Sequence, residues 1–156
     1  MMAGRAKLEQ ALTECTLHAQ VLGEAVAALP TAFSAGMVAV VDSERRRWLD
    51  QTAYRFMKLQ DSLGEKVLPG LLAATLDPLP PEATFAERLQ RLHRLGALPS
   101  VERWRLLREV RNSLAHEYPE HPELQAAALT RRVSGARELM LFWSAAQAFA
   151  GRHLVG

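Results

Sequence analysis

Cysteine is almost absent from this chain. Cys15 is the single cysteine in 156 residues, so no intramolecular disulfide can form and a cysteine-based zinc site is excluded. That usage fits a reducing, cytoplasmic setting. Long hydrophobic runs are also missing. The longest uncharged stretch, Ala25 to Val41, contains Pro30, Ser34 and Gly36 and falls short of the roughly 20 apolar residues a membrane span needs. No compact apolar core follows the first charges, so no secretory signal is expected. Alternating strand patterns, internal repeats and low-complexity tracts are absent too. A large excess of one charge sign is lacking: the formal net charge is +2. With 49% hydrophobic and 23% charged residues, the chain has neither the low hydrophobicity nor the high charge of a disordered protein. Its length suits one domain over residues 1–156 with a single sizeable core.

What is present is helical periodicity. Leu8, Leu12, Cys15, Ala19, Leu22, Val26 and Leu29 recur at steps of three and four, which puts them on one stripe of a helix. Cys15 therefore reads as a core residue. Pro30 closes this helix. A second helical stretch starts around residues 37–43 and runs to about Leu76, with Trp48, Leu49, Thr52, Phe56, Leu59, Leu63 and Val67 at helical spacing. Gly64 and Pro69 are expected to bend or break it. Asp77-Pro78-Leu79-Pro80-Pro81 is the strongest loop signal. A third helix is predicted from Thr84 to Leu95, with Thr84 and Glu87 in capping-box spacing and Gly96 as the stop. A fourth opens at Pro99-Ser100 and extends to about Tyr118, before Pro119. A fifth covers Pro122 to Arg152. Its late part, from Leu139 to Phe149, is apolar nearly all round, as expected of a helix covered on more than one side and of a dimer contact. The fold class is all-α, an up-and-down bundle of four to six helices.

Charge is unevenly placed. Residues 1–44 carry a net −3, while residues 85–111 hold seven arginines against three glutamates, a net +4. Such a cluster attracts phosphate, and it equally suits the solvated face of a helix. The same alternatives apply to Arg45-Arg46-Arg47. Trp48, Trp104 and Trp143 fit helical core stripes. His18, His93 and His153 have no evident partners. His116 and His121 flank Glu117 as HE-x3-H, not the HExxH of zinc proteases, and no metal or cofactor is expected.

The chemistry-bearing segment is Arg108 to Pro119. On an ideal helix Arg108, Asn112 and His116 share one face. Arg111 would stand roughly 140° from His116. Two arrangements reconcile them: the helix loosens before Pro119, or two copies pair across a two-fold axis and mix their residues. A neutral His116 could take the proton of a 2′-hydroxyl. Arg111 could hold the charge that builds on a phosphoryl group. Asn112 could orient His116 or bind a phosphate oxygen, and Arg105 and Arg108 could contact RNA backbone. The same residues also suit an ordinary helix C-terminus, where cations are favoured.

Arg111-Asn112-Ser113-Leu114-Ala115-His116-Glu117-Tyr118 resembles the RN-x3-HxY signature of HEPN-domain proteins, specifically the HepT-like toxins. Residues 54–61 and 63–69 resemble the second-helix region of that group, and Phe85 to Leu98 its third. The similarity covers about residues 52–72 and 84–124. It implies a helical homodimer and a metal-independent endoribonuclease toxin with Arg111 and His116 as the catalytic pair, Asn112 in support and RNA as substrate. It further implies a nucleotidyltransferase antitoxin, using ATP and magnesium, that attaches AMP to Tyr118. A phosphate adduct there would compete for the arginine. Lys58 and Asp61 match the pattern but are read as a helix-surface pair. Two alternatives are a non-catalytic nucleotide- or substrate-binding partner of such a transferase, and a helical adaptor without chemistry.

Overall fold

The computed structural model describes residues 2–76 and 78–154, with the side chain of Met2 set aside. Asp77 of the proline-rich loop lies outside them. The described residues are helices and connections, with no strand. The helices are α1 (Met2–Ala27), α2 (Ala35–Val38), α3 (Ser43–Ser62), α4 (Leu68–Ala73), α5 (Phe85–Leu95), α6 (Val101–Ser113) and α7 (Pro122–His153). No helix among the described residues is long and apolar enough to cross a membrane.

The stripe on α1 packs as its spacing dictates. Leu8, Cys15, Leu22 and Val26 are buried, and so is Leu29 just past the helix end. They meet α3 and α7. Burial pushes the Cys15 thiol above its usual pKa, as an apolar surrounding does to a group whose charged form is disfavoured. The second helical stretch is divided. After α2 the chain breaks at Ala39–Asp42, and the Asp42 carboxylate caps α3 by accepting the Arg45 N–H at 2.7 Å.

The expected bend near Gly64 is a π-helical turn, Leu63–Val67, which joins α3 to α4. Its wider ring lets the Leu68 N–H reach back to the Leu63 carbonyl. Pro69 follows, where it has no N–H to offer the ladder. Gly64 also eases the packing here. A Cβ at this position would lie 3.2 Å from Trp104 Cζ2, so a larger residue would push the indole of α6 outward by a few tenths of an ångström.

α5 has the predicted capping box, in which the Thr84 hydroxyl accepts the Glu87 N–H at 3.1 Å and Glu87 accepts the Thr84 N–H at 3.3 Å. It ends at Gly96, whose φ of 87° is left-handed. Ser100 caps α6 by accepting the Arg103 N–H. Arg103 then clamps Glu138 through two donors, at 2.9 and 2.8 Å, which ties α6 to α7.

Late α7 is covered within the chain. Leu139, Phe142, Trp143, Ala146 and Phe149 are buried, and α7 as a whole packs on α1, α2, α3 and α6. Leu141 is the large apolar side chain this segment leaves exposed. Contacts inside one chain cover the inward part of this segment, while Leu141 and Ala148 face outward. Trp104 and Trp143 are buried core residues, and Trp48 is half-buried.

Candidate functional site

α6 ends earlier than the sequence suggests. Its last helical residue is Ser113, not Tyr118. The final turn tightens, with Leu114 N–H on the Arg111 carbonyl (3.3 Å) and His116 N–H on the Ser113 carbonyl (3.0 Å). Two residues then take left-handed backbone, Tyr118 at φ 50° and Glu120 at φ 65°. Non-glycine residues adopt this region at a cost of about 1–3 kcal/mol each when the surroundings hold them. The Tyr118 carbonyl is held by Gln125 Nε2 at 2.9 Å and by the His121 N–H at 3.2 Å.

This corrects the shared face expected for Arg108, Asn112 and His116. Arg108 and Asn112 stand on α6, while His116 lies in the loop beyond it. The loosened helix end, not a continuous helix, sets the relation of His116 to Arg111. Tyr118, expected at the end of this helix, likewise lies in the loop beyond it. Its half-buried ring lies beside the exposed His116 ring, with centroids 6.1 Å apart and planes 28° from parallel. No hydrogen bond joins Asn112 to His116 among the described residues, and Asn112 and Arg105 are exposed.

Arg111 does have a partner. Its Nε and Nη2 donate to the two carboxylate oxygens of Asp61 at 3.0 and 2.8 Å. Such a fork fixes the guanidinium plane. The hydrogen bonds from Arg111 hold the Asp61 carboxyl below the usual carboxylate range; burial opposes them, and the charges of Arg111, Arg108 and Lys58 reinforce them. Two of the five guanidinium N–H donors are used, so the Nη1 edge keeps donors for an anion.

The helices are locked where this pair forms. Gln60, buried on α3, donates from its amide to the Leu107 carbonyl and accepts the Arg108 N–H, both at 3.1 Å, in the orientation that satisfies both groups. From the other side, Arg132 of α7 donates to the carbonyls of Leu49 (3.2 Å) and Leu114 (3.5 Å). It thus braces the loop that carries His116.

The expected surface pair of Asp61 with Lys58 is corrected, because Asp61 turns to Arg111 across the α3–α6 packing; the roles of Gln60 and Arg132 were not legible in the sequence. Asp61 lies 50 residues from Arg111, and only the fold brings them together. Among the histidines, His18 meets Arg55, His93 Nδ1 is 2.9 Å from the Leu98 carbonyl, and His153 stacks on Phe149. None of the three joins the site. Among the described residues, no three His, Cys, Asp or Glu side chains gather as a metal-binding group. A groove of about 480 Å³, lined by Leu106, Val110, Ser113, Arg131, Ser134 and Glu138, separates α6 from α7.

No protein-family model, curated protein or solved structure matches this chain significantly.

Proposed function

We propose that this protein is a metal-independent endoribonuclease of the HEPN type, a HepT-like toxin acting on RNA at the end of α6. The observation that carries this reading is the pairing of a clamped arginine with a free histidine on one short segment. Asp61 fixes the Arg111 guanidinium with donors to spare, and the end of α6 at Ser113 releases His116 to solvent.

In this scheme the neutral His116 imidazole removes the 2′-hydroxyl proton. The 2′-oxygen attacks phosphorus and the bond to the 5′-oxygen breaks, leaving a 2′,3′-cyclic phosphate. The 5′-oxygen takes a proton from water, and the resulting hydroxide takes the proton held by His116, which restores the base. Arg111 holds the charge on the phosphoryl oxygens. Asn112 and, more weakly, Arg105 and Arg108 meet the backbone from exposed positions on α6. Tyr118 is the acceptor for AMP from a partner nucleotidyltransferase. Its ring lies beside His116, so an adduct on it would obstruct the base. The proposal includes a homodimer, for which the exposed Leu141 and Ala148 of late α7 offer an outward apolar surface.

One observation favours a second reading, a non-catalytic nucleotide-binding partner of the transferase. The ring nitrogens of His116 have no hydrogen-bond partner among the described residues, so within one copy only the neighbouring Tyr118 ring positions the base. The test is cleavage of total RNA and a defined tRNA in EDTA by the wild-type protein, Arg111→Ala and His116→Ala. Removing the base should cost about 10²–10⁴-fold and removing the arginine about 10²–10³-fold. Absence of cleavage by unmodified wild-type protein would favour the binding partner.

A further inference from the structure

The face of α3 that carries Asp61 continues away from Arg111. Tyr54, Lys58 and Asp61 follow at steps of four and three, so they share one face, and Tyr54 lies about 10 Å along the axis from Asp61. Tyr54 is 45% exposed. The Arg55 guanidinium lies 5.4 Å from its ring centroid and the Lys58 ammonium 5.6 Å. Arg55 is anchored through Nη1, 3.0 Å from His18 Nδ1, and through Nε, 3.5 Å from Gln51 Oε1. Burial, then the Arg55 charge, lowers the pKa of His18, which suits a neutral ring accepting from Arg55. Lys58 forms no ion pair among the described residues, and its charge reaches Asp61 together with that of Arg108. An exposed aromatic ring flanked by cations thus stands on the same face as the carboxylate that grips Arg111.

Single-stranded nucleic acid is the ligand class that uses such a pair of features. Unpaired bases stack on aromatic rings while cations track the phosphates. A duplex keeps its bases stacked inside and offers none to such a ring. We propose that Tyr54 is a base-stacking platform and that Arg55 and Lys58 hold the adjoining phosphates of an RNA strand bound at Arg111. The inference rests on the reading of Arg111 as a phosphate-binding residue, and it assigns that strand a second set of contacts on α3.

The test is fluorescence anisotropy with a short labelled single-stranded RNA, a fully abasic strand of equal length, and the corresponding duplex. The parent protein carries His116→Ala so that no strand is cut. Added to that parent, Tyr54→Ala should weaken binding of the RNA strand by about tenfold or more, and Tyr54→Trp should retain it. The abasic strand should not distinguish Tyr54→Ala from the parent. Lys58→Ala should weaken both strands and flatten the salt dependence by about 0.7 in logarithmic slope. The duplex should bind more weakly than the single strand and be insensitive to Tyr54. Equal loss on the RNA and abasic strands, no loss with Tyr54→Ala, or no binding by the parent would each overturn the proposal. Tyr54-dependent binding by a protein whose wild type cuts no RNA would uphold the platform and defeat the nuclease reading, so the two fail separately.

Discussion

Replacing Asp61 by Asn tests whether the Arg111 clamp matters to both fold and chemistry. The two side chains are 34% and 31% exposed and meet through two charge-assisted contacts. Fully exposed ion pairs contribute about 0.2–1 kcal/mol. Bidentate geometry and partial shielding place this pair at the upper end, about 1 kcal/mol after allowing for solvent screening. For a chain of this size that corresponds to about 2–4 °C in Tm.

The assay is a double-mutant cycle of Asp61→Asn and Arg111→Gln, read by denaturant unfolding. A coupling of about 1 kcal/mol is expected, and additivity within about 0.3 kcal/mol would refute the pairing as a stabilising contact. The pH dependence has a definite sign. The carboxyl is held below its usual range, chiefly by the hydrogen bonds from Arg111. A group with a depressed folded pKa stabilises fully above its unfolded value, about 3.9, and loses that contribution as pH falls through the folded value. The stability gap between wild type and Asp61→Asn should therefore be constant near neutrality and close below about pH 4. In the cleavage assay, a loosened guanidinium should lower kcat by up to about 10²-fold with little change in KM. Measured coupling with an unchanged kcat would show that the clamp is structural only.

Three further substitutions probe the frame around the site. Gly96→Ala meets no atom within 4 Å of the new Cβ, so its cost is the left-handed backbone alone, about 1–2 kcal/mol by denaturant titration. Gly64→Val should cost about 1–3 kcal/mol, because its Cβ would crowd Trp104, and the same strain should weaken the coupling of Asp61 to Arg111. Arg132→Ala removes donors from the Leu49 and Leu114 carbonyls; a loss of about 1–3 kcal/mol is expected, with faster amide exchange across residues 114–121 than in wild type.

Much of the helix layout was legible because local rules decide it. The three- and four-residue steps of α1, the Thr84–Glu87 capping box and Gly96 all lie within a few residues of the structure they specify. The start of the second stretch was placed only within residues 37–43, because the end of the short helix α2 and the Asp42 N-cap of α3 both lie in that span. The end of α6 was misplaced for a different reason. No glycine or proline follows Ser113 until Pro119, so local signals favour continuation. Tertiary contacts stop it instead: Leu114 packs on the core, Arg132 takes its carbonyl, and Gln125 secures the left-handed Tyr118. The site divides in the same way. Arg111 and His116 stand out as residue types in a pattern, whereas Asp61 and Gln60 act across the α3–α6 packing.

The most direct measurement is RNA cleavage in EDTA by the wild-type protein beside His116→Ala, with the intact mass of the wild type checked for a nucleotide adduct. Cleavage by the unmodified wild type, reduced at least about 10²-fold in the variant, is the expected result. Equal cleavage by the two proteins, or none by an unmodified wild type, would contradict it.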